Sequence, residues 1–151
     1  MSIAFRNVDV PAGAPPGEWP YEAIVTVIER GSICDWATLT REVRTDPWGQ
    51  VARQLEDYFT YSRPPGVCAL IERAIASARA AAEASERAEV AREVDDLVRR
   101  STLASGVFAK RIGTSASRLS TYRTGKVTPS ASLLVRMRRV AGRLSGERTG
   151  G

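Results

Sequence analysis

The chain has 151 residues, 43% hydrophobic and 26% charged, a balance that sustains a buried core in one compact domain or two small ones. Its lack of histidine removes every His-activated nucleophile, His general base and His-based zinc site, and no run of about eighteen apolar residues offers a membrane span. The net charge of +5 is unevenly divided: residues 1–98 carry ten Arg/Lys against sixteen Asp/Glu, net −6, and residues 99–151 carry twelve against one, net +11.

The opening MSIAFRNVDVPAG has no basic start followed by an apolar stretch, so no secretory signal is expected and the expected location is the cytoplasm. Pro11, Pro15, Pro16 and Pro20 with Gly13 and Gly17 make residues 1–20 an irregular segment, with a short extended piece expected at residues 2–8. Tyr21, Ile24, Val25 and Ile28 then recur at helical spacing, and Gly31 stands where a C-terminal cap belongs. Ser32 with Asp35 three residues on predicts a capping-box start, and Trp36, Leu39 and Val43 form the apolar stripe that follows. Asp46 as N-cap and Pro47 at the first helical position predict the next helix, with Trp48, Val51, Leu55 and Tyr58 or Phe59 as its buried face. Cys34 and Cys68 lack CxxC spacing and are expected as small core hydrophobes.

Pro64, Pro65 and Gly66 break the chain. Residues 67–101 contain neither Pro nor Gly and are dense in Ala, Glu, Arg and Leu, which predicts a helix of roughly 50 Å if unbroken. Its middle, residues 78–88, has only alanine to bury. That composition suits close packing against another helix, of this chain or of a second copy, or a bend near Ser85. Residues 21–98 therefore read as an acidic helical domain for dimerisation or partner binding.

The basic end has its own pattern. In STLASGVFAKRIG, Ser105 is expected to cap a short helix whose inward face is Val107, Phe108, Ala109 and Ile112, and Gly113 permits the positive backbone angle that ends it. Ser115 is a good N-cap for a second helix over 116–124, with Leu119 and Tyr122 inward and Ser117, Arg118, Thr121 and Thr124 outward. Gly125 ends that helix. Thr128-Pro129 opens a last one with Leu133, Leu134, Met137 and Val140 as its stripe and Arg136, Arg138, Arg139 and Arg143 outside. Residues 146–151 are expected to be a disordered tail.

A short helix, a tight glycine turn and a second helix with a small, polar outer face make a helix-turn-helix. A helix entering a major groove about 12 Å wide needs short outward side chains beside those that read bases, and Arg118 can donate two hydrogen bonds to guanine. Phosphates repel carboxylates, and FAKRIGTSASRLSTYRTGKVTP carries five cations and no acid. Arg111, Arg123 and Lys126 flank the outward face, where phosphate contacts fix register.

Residues 97–141, LVRRSTLASGVFAKRIGTSASRLSTYRTGKVTPSASLLVRMRRVA, resemble the Cro/phage-repressor (XRE-type) helix-turn-helix family. Ala109 and Gly113, Ser115, Leu119, Tyr122, Gly125-Lys126 and Pro129-Ser130 match its pattern. The resemblance implies base-reading positions at Ala116, Ser117, Arg118 and Thr121, and phosphate-facing positions at Ser105, Arg123, Thr124 and Lys126. Ala104-Ser105 stands where the family usually has a Ser/Thr-Gln pair, and Ala116 where it often has Gln, which puts more of the base reading on Arg118. The implied fold is all-α: a helical N-terminal region joined by a long Ala-rich helix to a lambda-repressor-like bundle over 99–145.

The expected function is a sequence-specific transcriptional regulator, a repressor that binds double-stranded DNA as a homodimer. An antitoxin-like or adaptor protein, with a partner on residues 21–98 and autoregulation by the DNA module, is the alternative from another class. An architectural protein without sequence preference is a third. An enzyme is the weakest reading. No G-x-x-x-x-G-K-[ST] or G-x-G-x-x-G occurs, the acids follow helical charge patterns, and no catalytic, cofactor or metal site is expected.

Overall fold

The computed structural model describes residues 13–149, with side chains as far as residue 146. The extended piece expected at residues 2–8 lies outside the described residues. Every regular element among them is helical: a 3-10 turn, Pro16–Glu18, then α1 (Tyr21–Arg30), α2 (Ile33–Thr45), α3 (Gln50–Tyr61), α4 (Val67–Ser101), α5 (Ser105–Ile112), α6 (Ala116–Thr124) and α7 (Ala131–Thr149). The chain divides into two compact units, Met1–Ala82 and Glu83–Gly151.

In the first unit α1 buries Ala23, Ile24, Val27 and Ile28, one face at helical spacing. Gly31 follows it in extended backbone, and it must be glycine because a Cβ there would lie 2.3 Å from the Val27 carbonyl oxygen. The Asp35 carboxylate accepts from the Ser32 backbone N–H at 2.8 Å, the capping-box bond that the spacing predicts, and also from the Ser32 hydroxyl at 3.1 Å. Trp36 is partly buried, its indole N–H donating to Val27 O at 3.0 Å. Leu39 and Val43 complete the face of α2.

The DPWG stretch departs from expectation. Asp46 terminates α2, Gly49 is the N-cap of α3, and the Gly49 N–H closes a turn on Asp46 O at 3.1 Å. Pro47 at the second position of that turn has the fixed φ that suits it as well as a first helical turn does. Trp48 therefore lies off the α3 stripe and is 45% exposed, with the Arg79 guanidinium 6.0 Å from its ring centre. Arg79 also donates to Pro47 O at 3.0 Å and pairs with Glu56. Val51, Leu55, Tyr58 and Phe59 all bury, against Val67, Cys68, Ile71, Ile75 and Ala78 of α4. Cys68 is core, as expected, whereas Cys34 is exposed in the first turn of α2.

The α4 helix continues through Ser85 as one element, and residues 83–89 are exposed along it. Its later residues Val94, Leu97 and Val98 enter the core of the second unit with Phe108, Ala109, Ile112, Leu119, Tyr122, Met137 and Ala141. Leu133, Leu134 and Val140 pack at the margin. The chain leaves α4 through Thr102, at φ 60, while the buried Ser101 hydroxyl donates to Val98 O at 2.6 Å and accepts from the Leu103 N–H at 3.2 Å. The charge boundary at residue 98 and the packing boundary at 82–83 do not coincide. At the other end α7 runs to Thr149, past the point where the disordered tail is expected to begin.

Candidate nucleic-acid interface

Two short helices and their turns build the site. Ala104 is the N-cap of α5, with no side-chain cap bond, so Ser105 is the first helical residue and not the cap. Val107 is 47% exposed; it lies about 100° round the helix from Phe108, off the stripe of Phe108, Ala109 and Ile112. Gly113 ends α5 in the left-handed region, φ 82, where its N–H reaches Lys110 O at 3.2 Å and the Thr114 N–H reaches Ala109 O at 2.9 Å. Ser115 then caps α6, its hydroxyl oxygen accepting from the Arg118 backbone N–H at 3.2 Å. Leu119 and Tyr122 anchor α6 in the core, and Gly125, at φ 79, ends it. Ser130 receives the Leu133 N–H at 3.2 Å and so caps α7.

The sequence-derived base-reading positions share one helix and reach solvent to different degrees. Ala116, Ser117 and Arg118 are exposed, and among the described residues the Arg118 guanidinium has no partner. Thr121 is partly buried, and its hydroxyl donates to Arg118 O at 2.6 Å, which leaves only lone pairs for anything outside. Thr124 is exposed with its hydroxyl donating to Ser120 O at 3.1 Å. Arg111 and Lys126 are exposed and unpaired among the described residues.

Arg123 is different. Its Nε donates to Asp95 Oδ1 at 2.9 Å, its Nη2 lies 2.7 Å from the same oxygen, and its Nη1 donates to Ser105 Oγ at 3.0 Å. Two residues expected to face phosphate are thus joined to each other and to an acid. The acid-free stretch acquires carboxylates from α4: Arg138 Nε donates to Glu93 at 2.7 Å, Asp95 also pairs with Arg99 at 2.9 Å, and Asp96 pairs with Arg100 at 3.0 Å. The hydrogen bond from Arg138 holds the Glu93 carboxyl below its ordinary range, against a smaller opposing effect of desolvation, and raises the Arg138 guanidinium in turn. Arg136 Nη1 donates to Ile112 O at 3.3 Å, closing the last turn of α5. Of the cations expected on the outer face of α7, Arg136 and Arg138 are engaged.

After α4, the cations left unpaired among the described residues are Lys110, Arg111, Arg118, Lys126, Arg139 and Arg143. Sequence reading missed two contributors. Lys110 was visible as the neighbour of Arg111. Asp95 showed only its local i,i+4 pairing with Arg99, whereas its bond to Arg123 joins residues 28 apart. Chemically, the arrangement offers a planar, multidentate donor at Arg118 among small neighbours, with point charges on either side.

Among the described residues no three His, Cys, Asp or Glu side chains converge as a metal-binding group, and no helix is long and apolar enough to cross a membrane. Comparison of the chain with protein-family models, with curated proteins and with solved structures finds no match.

Proposed function

We propose that the chain is a sequence-specific DNA-binding regulator, a repressor, that reads the major groove through α6 of a helix-turn-helix formed by α5, the Gly113 turn and α6. The observation that carries the reading is the contrast within α6. Its cap, its threonine hydroxyls and Arg123 are satisfied inside the protein, while Arg118 stands exposed, and unpaired among the described residues, between Ala116, Ser117 and Thr121. Short side chains let the helix enter the groove, and a guanidinium can engage O6 and N7 of one guanine together. Arg111, Lys126 and the Thr124 oxygen then lie where phosphate contacts set register. One such helix reads only a few base pairs, so two copies on half-sites about 34–36 Å apart supply the specificity of an operator.

Enrichment of the purified protein on a random duplex library at physiological salt tests this directly. An inverted repeat with one-turn spacing is the expected product, and Arg118→Ala is expected to cost about 1–3 kcal/mol on that site while relaxing one base position. Equal losses for Arg118→Ala on the selected site and on random duplex would remove Arg118 from the reading role. Measurable binding with no enriched sequence would reduce the surface to an electrostatic one.

A further inference from the structure

The reading of α6 as a groove-entering helix leaves part of the basic surface unused. Arg136, Arg139 and Arg143 follow one another at i, i+3 and i+7 along α7, on one stripe of that helix. The stripe is away from Met137 and Ala141, which face the core. Its first member is anchored: Arg136 donates to Ile112 O at 3.3 Å and its Nη1 lies 3.5 Å from where a Cβ on Gly113 would stand. The stripe therefore starts beside the turn that leads into α6. Arg138, which is off the stripe, is the member of the α7 arginines that Glu93 neutralises. Arg139 and Arg143 have no carboxylate or hydrogen-bond partner among the described residues. An arginine pair serving only solubility could sit anywhere on an exposed helix and tolerates interleaved acids; here no acid lies between Asp96 and Glu147, which follows Arg143 by four residues on α7.

We propose that Arg139 and Arg143 form a second contact surface for the sugar-phosphate backbone of duplex DNA, beyond the base pairs that α6 would read. The inference rests on the proposed DNA-binding function and extends its footprint. Charge complementarity selects the occupant: guanidinium groups one helical turn apart, on a helix whose one acid, Glu147, comes after both, match successive phosphates of a duplex backbone. Such contacts carry no sequence information, so they act on affinity and on its salt dependence alone.

The test is anisotropy titration of a random-sequence duplex by the full chain between 50 and 200 mM salt. The comparison is of wild type with Arg139→Gln/Arg143→Gln and with Arg139→Lys/Arg143→Lys. Loss of two phosphate contacts is expected to flatten the salt slope by about two, so that the affinity lost over that fourfold range shrinks roughly tenfold. The lysine pair is expected to keep the slope, and circular dichroism is expected to be the same for all three. A glutamine pair that binds duplex with the wild-type slope overturns the second surface and leaves the role of α6 intact. A wild-type chain that binds no duplex overturns both. Capture by anionic phosphatidylserine vesicles that depends on these two arginines, with the duplex slope unchanged, overturns it in favour of a lipid surface.

Discussion

Arg118 and Arg123 lie on the same helix, and what surrounds each guanidinium decides what it can do. Arg118 is exposed, and unpaired among the described residues, whereas Arg123 is held by Asp95 and Ser105, with its side chain 28% exposed and that of Asp95 30% exposed. A charged hydrogen bond at that depth is worth more than a surface ion pair. Arg123→Ala is expected to lower stability in urea by about 1–2 kcal/mol and to leave the salt slope of DNA binding where it was. A slope reduced by about one would instead return Arg123 to the phosphate-contacting set. Glu93 supplies a pH dependence from the same region. Its folded-state pKa lies below the ordinary glutamate value of about 4.3 because Arg138 donates to the charged form. Its contribution is therefore complete above that value and is lost as the pH falls from there through the lower folded value. Urea midpoints measured from pH 6 to 3 are expected to fall across that window, and less steeply in Arg138→Ala.

At the level of the elements, the glycines separate two kinds of requirement. Gly113 ends α5 at φ 82, where an L side chain is strained, while Gly106 sits in the first turn of α5 with no atom within 4 Å of where a Cβ would be. Gly113→Ala is expected to cost about 1–2 kcal/mol, and Gly106→Ala to gain about 0.4–1 kcal/mol by restricting the unfolded chain. The pair is read as urea midpoints that move in opposite directions at constant slope. These helix ends were legible because a glycine cap acts through its own backbone and its nearest neighbours: Gly113, Ser115 and Gly125 each stand where the spacing places them. The start of α3 was not legible, because Asp46-Pro47 suits a turn and a helix start equally, and only packing of Val51 and Leu55 selects between them. For the alanine-rich middle of α4 the sequence left the packing partner open, in this chain or in a second copy, and within this chain residues 83–89 are exposed. The pairing of Arg123 with Asp95 and of Arg138 with Glu93 joins residues 28 and 45 apart, a separation that no local pattern encodes.

For the whole molecule, the packing boundary changes how charge is shared. Glu83, Glu86, Glu89, Glu93, Asp95 and Asp96 belong to the second unit, which then carries fourteen Arg/Lys against seven Asp/Glu, net +7, while the first carries eight against ten, net −2. Much of the acidity seen in residues 1–98 therefore lies in the later half of α4, where part of it neutralises Arg123 and Arg138. That half of the helix also supplies Val94, Leu97 and Val98 to the core beneath α5, α6 and α7. A fragment of residues 83–151 is expected to unfold cooperatively and to bind random duplex with the salt slope of the full chain. A fragment of residues 99–151 follows the charge boundary instead. It loses those three core residues and both acids, and is expected to remain unfolded and to lose site preference. Cooperative unfolding of 99–151 would show that α4 is dispensable to the second unit. On a duplex carrying the selected inverted repeat, the full chain is expected to bind more tightly than 83–151 if the first unit joins two copies. Equal affinity of the two would leave residues 1–82 without a part in dimerisation.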